Sequence, residues 1–243
     1  MSPIFAGLYF HEVVLLILGV LLFIILVIAF FYQLVHKRSI TPLLAFFLIP
    51  ISMIGFSGIK SFQYKDGLVT IDKTTRQLQE NPTDTAARQT LKEQVTKIGD
   101  RAGSDPQSAV LLAKAQYALG NEAAAKNNLQ KAIQASPTDP SAQELQRKIA
   151  AVDNLKQLSS QVEADPANSA ARAKLASTLD QTSQMKIANP NALIQVARAQ
   201  TALGQHTQAL ENTQKVLAIT PNSSSAHQLQ NTINRRIATT APH

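Results

Sequence analysis

Residues 113–120 read AKAQYALG and residues 197–204 read ARAQTALG, and the 84 positions that separate them organise the chain. Sliding the sequence on itself by that distance aligns 82–149 with 166–233 without a gap, with 22 of 68 positions identical. Pro82 meets Pro166, Pro106 meets Pro190 and Pro137 meets Pro221, while the AARxxL of Ala86 to Leu91 returns at Ala170 to Leu175. A repeat period constrains architecture before any local reading does, because each copy must fold alike and pack against its neighbour. The sequence reads as a duplicated module, with copies at about 68–153 and 154–237.

Inside each copy the apolar spacing is that of helices. Leu112, Ala113, Gln116 and Leu119 fall at helical steps, Gly120 and Asn121 interrupt them, and Ala125, Leu129, Ala132 and Ile133 resume them until Pro137. Small residues let two helices approach closely, and the proline stops the second helix before the next begins. The segments 72–81, 85–98 and 142–165 keep the helical period but lack the turn glycine. Arg235 and Arg236 lie near the end of a last capping helix, where its dipole is negative, and 238–243 reads as a disordered tail.

The set Ala113, Gly120, Ala125, Ala132 and Pro137, with Ala197, Gly204, Ala209, Leu217 and Pro221 in the second copy, where Leu217 stands one place beyond the equivalent of Ala132, resembles the tetratricopeptide repeat. That family pairs helices with a small residue in the first, a glycine at the turn, alanines in the second and a closing proline. The resemblance implies a stack of helix pairs with a concave face. The chain departs from the pattern where Gln116 and Gln200 stand in place of the usual tyrosine, with Tyr117 one position later. The fold class expected is all-α: a two-span transmembrane hairpin followed by an irregular tetratricopeptide-like α-solenoid.

Ahead of the modules the composition changes. Residues 1–59 hold eight of the nine phenylalanines, and 13–32 carry no charge at all. Twenty residues at about 1.5 Å each match a hydrocarbon core of roughly 30 Å. A cleavable signal peptide would open with basic residues and carry a shorter apolar stretch, whereas Glu12 is the charge that precedes this run. A second apolar stretch covers 40–59, with Pro42 near its start and Pro50 inside it, where a kink is expected. The short polar turn His36, Lys37, Arg38 and Ser39 between the spans forces a hairpin, and 60–67 reads as a linker to the modules. Lys37 and Arg38 in the loop, against no Lys or Arg in the amino-terminal tail, favour a cytoplasmic loop with both termini and the repeat domain outside, as in a bacterial inner-membrane protein with a periplasmic domain. Lys60, Lys65 and Lys73 pull the other way but count for less, since a long following domain translocates largely regardless of charge. Ser52, Gly55 and Gly58 form a small-residue face that suits helix packing.

Composition removes several function classes. The chain has no cysteine, which excludes thiol nucleophiles and cysteine-held metal. His206, in an expected turn, and His227, on the capping helix, have no carboxylate three or four residues on, and no phosphate-binding, zinc-protease or serine-hydrolase motif occurs. Asp84, Asp105, Asp139 and Asp165 flank prolines at helix junctions, where capping accounts for them. Residues 60–243 carry 21 Lys or Arg against 15 Asp or Glu, spread along the helices with few aromatics, so nucleic acid has no stacking platform. The chain reads as a non-enzyme without cofactor, metal or small-molecule substrate.

Protein binding remains. The expected contact residues on the first helix of each pair are Lys114, Gln116 and Tyr117, with Arg198 and Gln200 in the second copy. Spacing equally allows Gln116 and Gln200 to be packed between helices with their amides satisfied internally, because it does not decide which face is buried. The function expected is a membrane-anchored scaffold or adaptor that holds another polypeptide at the membrane surface. Its layout resembles the periplasmic apoprotein-binding factor of c-type cytochrome maturation, although that family has a much longer cytoplasmic loop. A structural subunit of a larger membrane complex and a cytoplasm-facing adaptor are the alternatives. The topology has a direct test: a cysteine replacing Ser39 is expected to be shielded from an impermeant thiol reagent in intact cells, and one replacing Ser224 to react once any outer barrier is opened. The reverse pattern would put the modules in the cytoplasm.

Overall fold

The computed structural model describes residues 8–36, 41–99, 101 and 105–240. The chain is helical throughout these, without a strand. In order come α1 (Phe10–Val35), α2 (Thr41–Phe46), α3 (Leu48–Glu80), α4 (Thr85–Ile98), α5 (Pro106–Leu119), α6 (Glu122–Ala135), α7 (Pro140–Ala164), α8 (Ser169–Ser183), α9 (Pro190–Ala202), α10 (His206–Ile219) and α11 (Ser224–Thr240). The loop residues Lys37, Arg38, Ser39 and Ile40 lie outside the described set, as do 241–243; the expected tail at 238–240 instead completes α11.

Two stretches, Phe10–Val35 and Leu43–Glu80, are long and apolar enough to cross a membrane. Their apolar side chains are bare: Ile28 is 64% exposed, Phe31 59% and Ile51 53%. A core helix of a water-soluble fold would bury such a surface within its own chain, and these two do not. α1 packs along α3. Gly19 makes that approach possible, because a Cβ there would stand 3.1 Å from both Met53 and Ile54, and Ser57 Oγ donates to the Glu12 carbonyl at 3.2 Å. The small residues Gly55 and Gly58 do not serve this contact; nothing approaches the positions of their missing side chains within 4 Å.

The kink expected at Pro50 falls three residues earlier. The helix stops after Phe46 and restarts at Leu48, with Phe47 between them. A proline ring collides with the carbonyl four residues before it, here Phe46, so the break occurs there and Pro50 sits in the first turn of α3, where a missing N–H costs nothing. The expected linker at 60–67 is also replaced: α3 runs unbroken for 33 residues, from the apolar belt into the soluble part. Its far half buries Tyr64, Ile71 and Leu78 against Leu91, Val95 and Ile98 of α4 and Leu112 and Ala115 of α5.

A second, larger core joins α5 to α11. Helices α4 to α7 begin at 85, 106, 122 and 140, and α8 to α11 begin at 169, 190, 206 and 224, each 84 residues later. The caps correspond too. Asp84, Asp105 and Asp139 accept from the N–H groups of Ala87, Ser108 and Ala142, and Asn168, Asn189 and Ser223 do the same in the later set. Asp165 differs from expectation, for it closes α7 at the C-cap and Asn168 caps α8. Ala113, Ala125, Ala132, Ala197 and Ala209 are fully buried at helix crossings, while Pro137 and Pro221 directly follow the C-cap residues Ser136 and Thr220. Arg88, from the repeated AARxxL string, donates to the carbonyls of Pro82, Ala118 and Ala188, tying the start of the first set to the second.

Gly120 and Gly204 both adopt left-handed backbone, with φ of +89° and +85°. A side chain there strains the backbone by about 1–2 kcal/mol, and at Gly120 a Cβ would also press on Pro190 Cγ at 3.3 Å, whereas Gly204 faces open space. Denaturant unfolding of the detergent-solubilised chain should rank wild type above Gly204→Ala and that above Gly120→Ala. Indistinguishable midpoints would contradict the turn assignment.

Candidate functional site

Helices α5 and α9, which carry the five expected contact residues, are the most enclosed in the soluble part. α9 packs against α7, α8, α10 and α11, and ten of its thirteen residues are buried. Gln200 is 9% exposed, and its Oε1 accepts from Asn212 Nδ2 at 2.9 Å. Tyr117 is 5% exposed and belongs to the larger core. Gln116 is half-buried and uses its Oε1 to receive Asn121 Nδ2 at 2.8 Å, closing its own turn. Lys114 and Arg198 are half-buried.

The five do not converge. α5 and α9 meet end to end, where Asn191 Nδ2 donates to the Gly120 carbonyl. Lys114 and Tyr117 line a narrow cleft with Glu144, Lys148 and Lys186. Gln200 lines a separate cavity of about 390 Å³ with Leu193, Val196, Asn212 and Lys215. In the first cleft Lys148 reaches the Lys186 carbonyl at 3.2 Å, and burial holds its ammonium below the ordinary lysine range against the opposing pull of Glu144. Burial pushes the Tyr117 phenol well up, with the Glu122 and Asp153 carboxylates adding to the shift, so the phenol stays protonated. His206 begins α10 instead of standing in a turn, and His227 Nε2 lies 2.8 Å from the Pro221 carbonyl. Among the described residues no group of three His, Asp or Glu is placed to hold a metal.

An apolar concavity lies elsewhere, between α6 and α7. It has a volume of about 480 Å³, a floor of Leu129, Ile133, Ile149 and Ala150, and walls carrying Gln130, Gln134 and Gln146. Lys126 and Asp153 pair across one end at 3.2 Å. It exists because α7 diverges from α6 to pack on α8 and α9, whereas α11, the helix corresponding to α7, lies closely along α10. Comparison with family models, with curated proteins and with solved structures gave no match.

A second feature ties the soluble part to the hairpin. Glu12 is 3% exposed, and Arg101 Nη1 and Nη2 donate to its two carboxylate oxygens at 3.2 and 3.1 Å. Tyr9 N–H adds a bond to the same carboxylate at 2.9 Å, and the Arg101 guanidinium lies 4.6 Å from the Tyr9 ring centre. The start of α1 and the soluble part therefore stand at the same end of the hairpin. In the sequence Glu12 speaks only against a signal peptide, and nothing local joins it to an arginine 89 residues away.

Tyr117 separates the packing role from a contact role. Its hydroxyl is buried without a hydrogen-bond partner among the described residues, so Tyr117→Phe should leave stability unchanged or raise it by up to about 1 kcal/mol, while Tyr117→Ala should cost about 3–5 kcal/mol. Denaturant unfolding of the three proteins checks this. A Phe variant that is markedly less stable would mean that the hydroxyl has a partner.

Proposed function

We propose that this chain is a membrane-anchored scaffold whose soluble part is an irregular tetratricopeptide-like solenoid, arisen by duplication of an 84-residue unit, that holds another polypeptide close to the membrane. The equal helix offsets, the matching caps and the two left-handed glycines support the duplication. The observation that carries the function is the α6–α7 groove: an apolar floor bordered by amides, with its two charged groups, Lys126 and Asp153, paired to each other at one end. Apolar side chains of a partner would give up water on that floor, while the glutamine amides can donate to and accept from its backbone. The anchor supports the same reading, since α3 and the Glu12–Arg101 pair fix the groove's position relative to the bilayer. With Lys37 and Arg38 in a cytoplasmic loop, the scaffold stands outside the cytoplasm. Assembly of envelope proteins, c-type cytochromes among them, is the setting that this layout suggests.

A photo-reactive amino acid at Ile133 or Gln146 in native membranes tests the groove. Both positions should give the same crosslinked polypeptide, and Gln208, exposed on α10, should not. Equal products from all three positions, or none, would remove the groove as the binding site. One observation favours the second reading, a constitutive subunit: the open face at Gly55 and Gly58 offers a place for another transmembrane helix. In that case Gly55→Ile and Gly58→Ile would release the chain from a larger complex in native gels while groove crosslinks persist.

A further inference from the structure

Where α3 leaves the apolar belt it borders a cavity of about 490 Å³, formed with α4 and Arg101 and lined with Lys60, Gln63, Asp66, Gln94 and Lys97. Its depth in the membrane follows from the sequence. Residues 39–59 carry no charge, and Lys60 is the first after them, so the cavity opens where hydrocarbon gives way to headgroups. Lys60 is held over the Phe56 ring, with Nζ 5.6 Å from its centre.

The charges in this cavity are unequally matched. Arg101 is already paired with Glu12. Lys60 and Lys97 have no carboxylate within ion-pair distance among the described residues. The Gln63 and Gln94 amides add neutral donors, and Asp66 supplies one acidic group on the same wall. A single anionic diester suits two ammonium groups and two amides, since it can accept several charge-assisted bonds at once. Asp66 weighs against a multiply charged anion. Basic groups at the edge of a span meet such a diester in the phospholipid headgroup.

We infer that this cavity is a phospholipid site, with the headgroup phosphate on Lys60 and Lys97 and the acyl chains running down the bare surface of α3. Lipid bound there bridges the span and α4, and so braces the soluble part against the bilayer at a second point beside the Glu12–Arg101 pair. The inference rests on the membrane reading of α1 and α3, which alkaline carbonate extraction of native membranes tests separately: a chain released by carbonate defeats that reading, while a retained chain leaves the lipid site to be judged alone.

The test is native mass spectrometry of the full chain in detergent, titrated with phosphatidylglycerol, phosphatidylethanolamine, diacylglycerol of the same acyl chains, or inorganic phosphate. One phospholipid should bind per chain in preference to diacylglycerol, and millimolar phosphate should not displace it. Lys60→Gln with Lys97→Gln should weaken binding at least tenfold, and each single change several-fold. Lys65→Gln with Lys73→Gln, which removes the same charge from exposed positions on α3 outside the cavity, should leave it within twofold. Asp66→Asn should favour phosphatidylglycerol over phosphatidylethanolamine, because an ethanolamine ammonium loses its partner. Equal losses in the two lysine pairs, binding of diacylglycerol as tight as that of phospholipid, or displacement by free phosphate would each overturn the site.

Discussion

The structure depends on one continuous helix that carries two unlike surfaces. The first turns of α3 present bare aliphatic and aromatic side chains in a stretch apolar enough to cross a membrane, and its later turns bury Tyr64, Ile71 and Leu78 in the first core. A helix can do this because its backbone hydrogen bonds are internal and stay satisfied on either side of the boundary. A flexible connection would have let the soluble part tumble. With α3 continuous, any rotation of that part must bend a helix or break the packing of α4 and α5 upon it.

The Glu12–Arg101 pair adds the second point of attachment that a single helix lacks. A buried ion pair contributes little net stability, because desolvating both groups offsets their attraction, but losing one partner leaves a buried charge at a cost of several kcal/mol. The pair therefore acts chiefly on orientation: it tolerates one arrangement of α1 against the α4–α5 connection and penalises others. The two-pronged bonds from Arg101 and the additional Tyr9 N–H make that arrangement directional.

Helix α7 repeats the double use seen in α3. Its first half comes after α6 in chain order as α11 comes after α10, and its second half buries Leu155 and Val162, which stand 84 residues after Ile71 and Leu78, in the packing with α8 and α9. Serving both sets pulls α7 away from α6. The groove proposed to hold a partner is thus a consequence of joining two similar units through one helix, and α11, packed closely along α10, closes the corresponding place.

The sequence by itself determined what depends on local order. The apolar runs, the helix period, the caps at Asp84, Asp105 and Asp139 and the turns at Gly120 and Gly204 could be read from neighbouring residues, since caps, turns and helix faces are set within a few positions. It misplaced the break near Pro50 and put a linker at 60–67, because helix continuity there rests on the packing of Tyr64 and later residues against α4 and α5, which no window of sequence contains. It left Gln200 open between a contact and a packed amide, and placed Tyr117 among contact residues, because helical spacing assigns residues to a face without saying which face is covered. Only the tertiary structure decided that α9 lies inside, that α6 and α7 part to leave an apolar groove, and that Glu12 meets Arg101. Each is a relation between segments far apart in the chain, fixed by how whole helices pack.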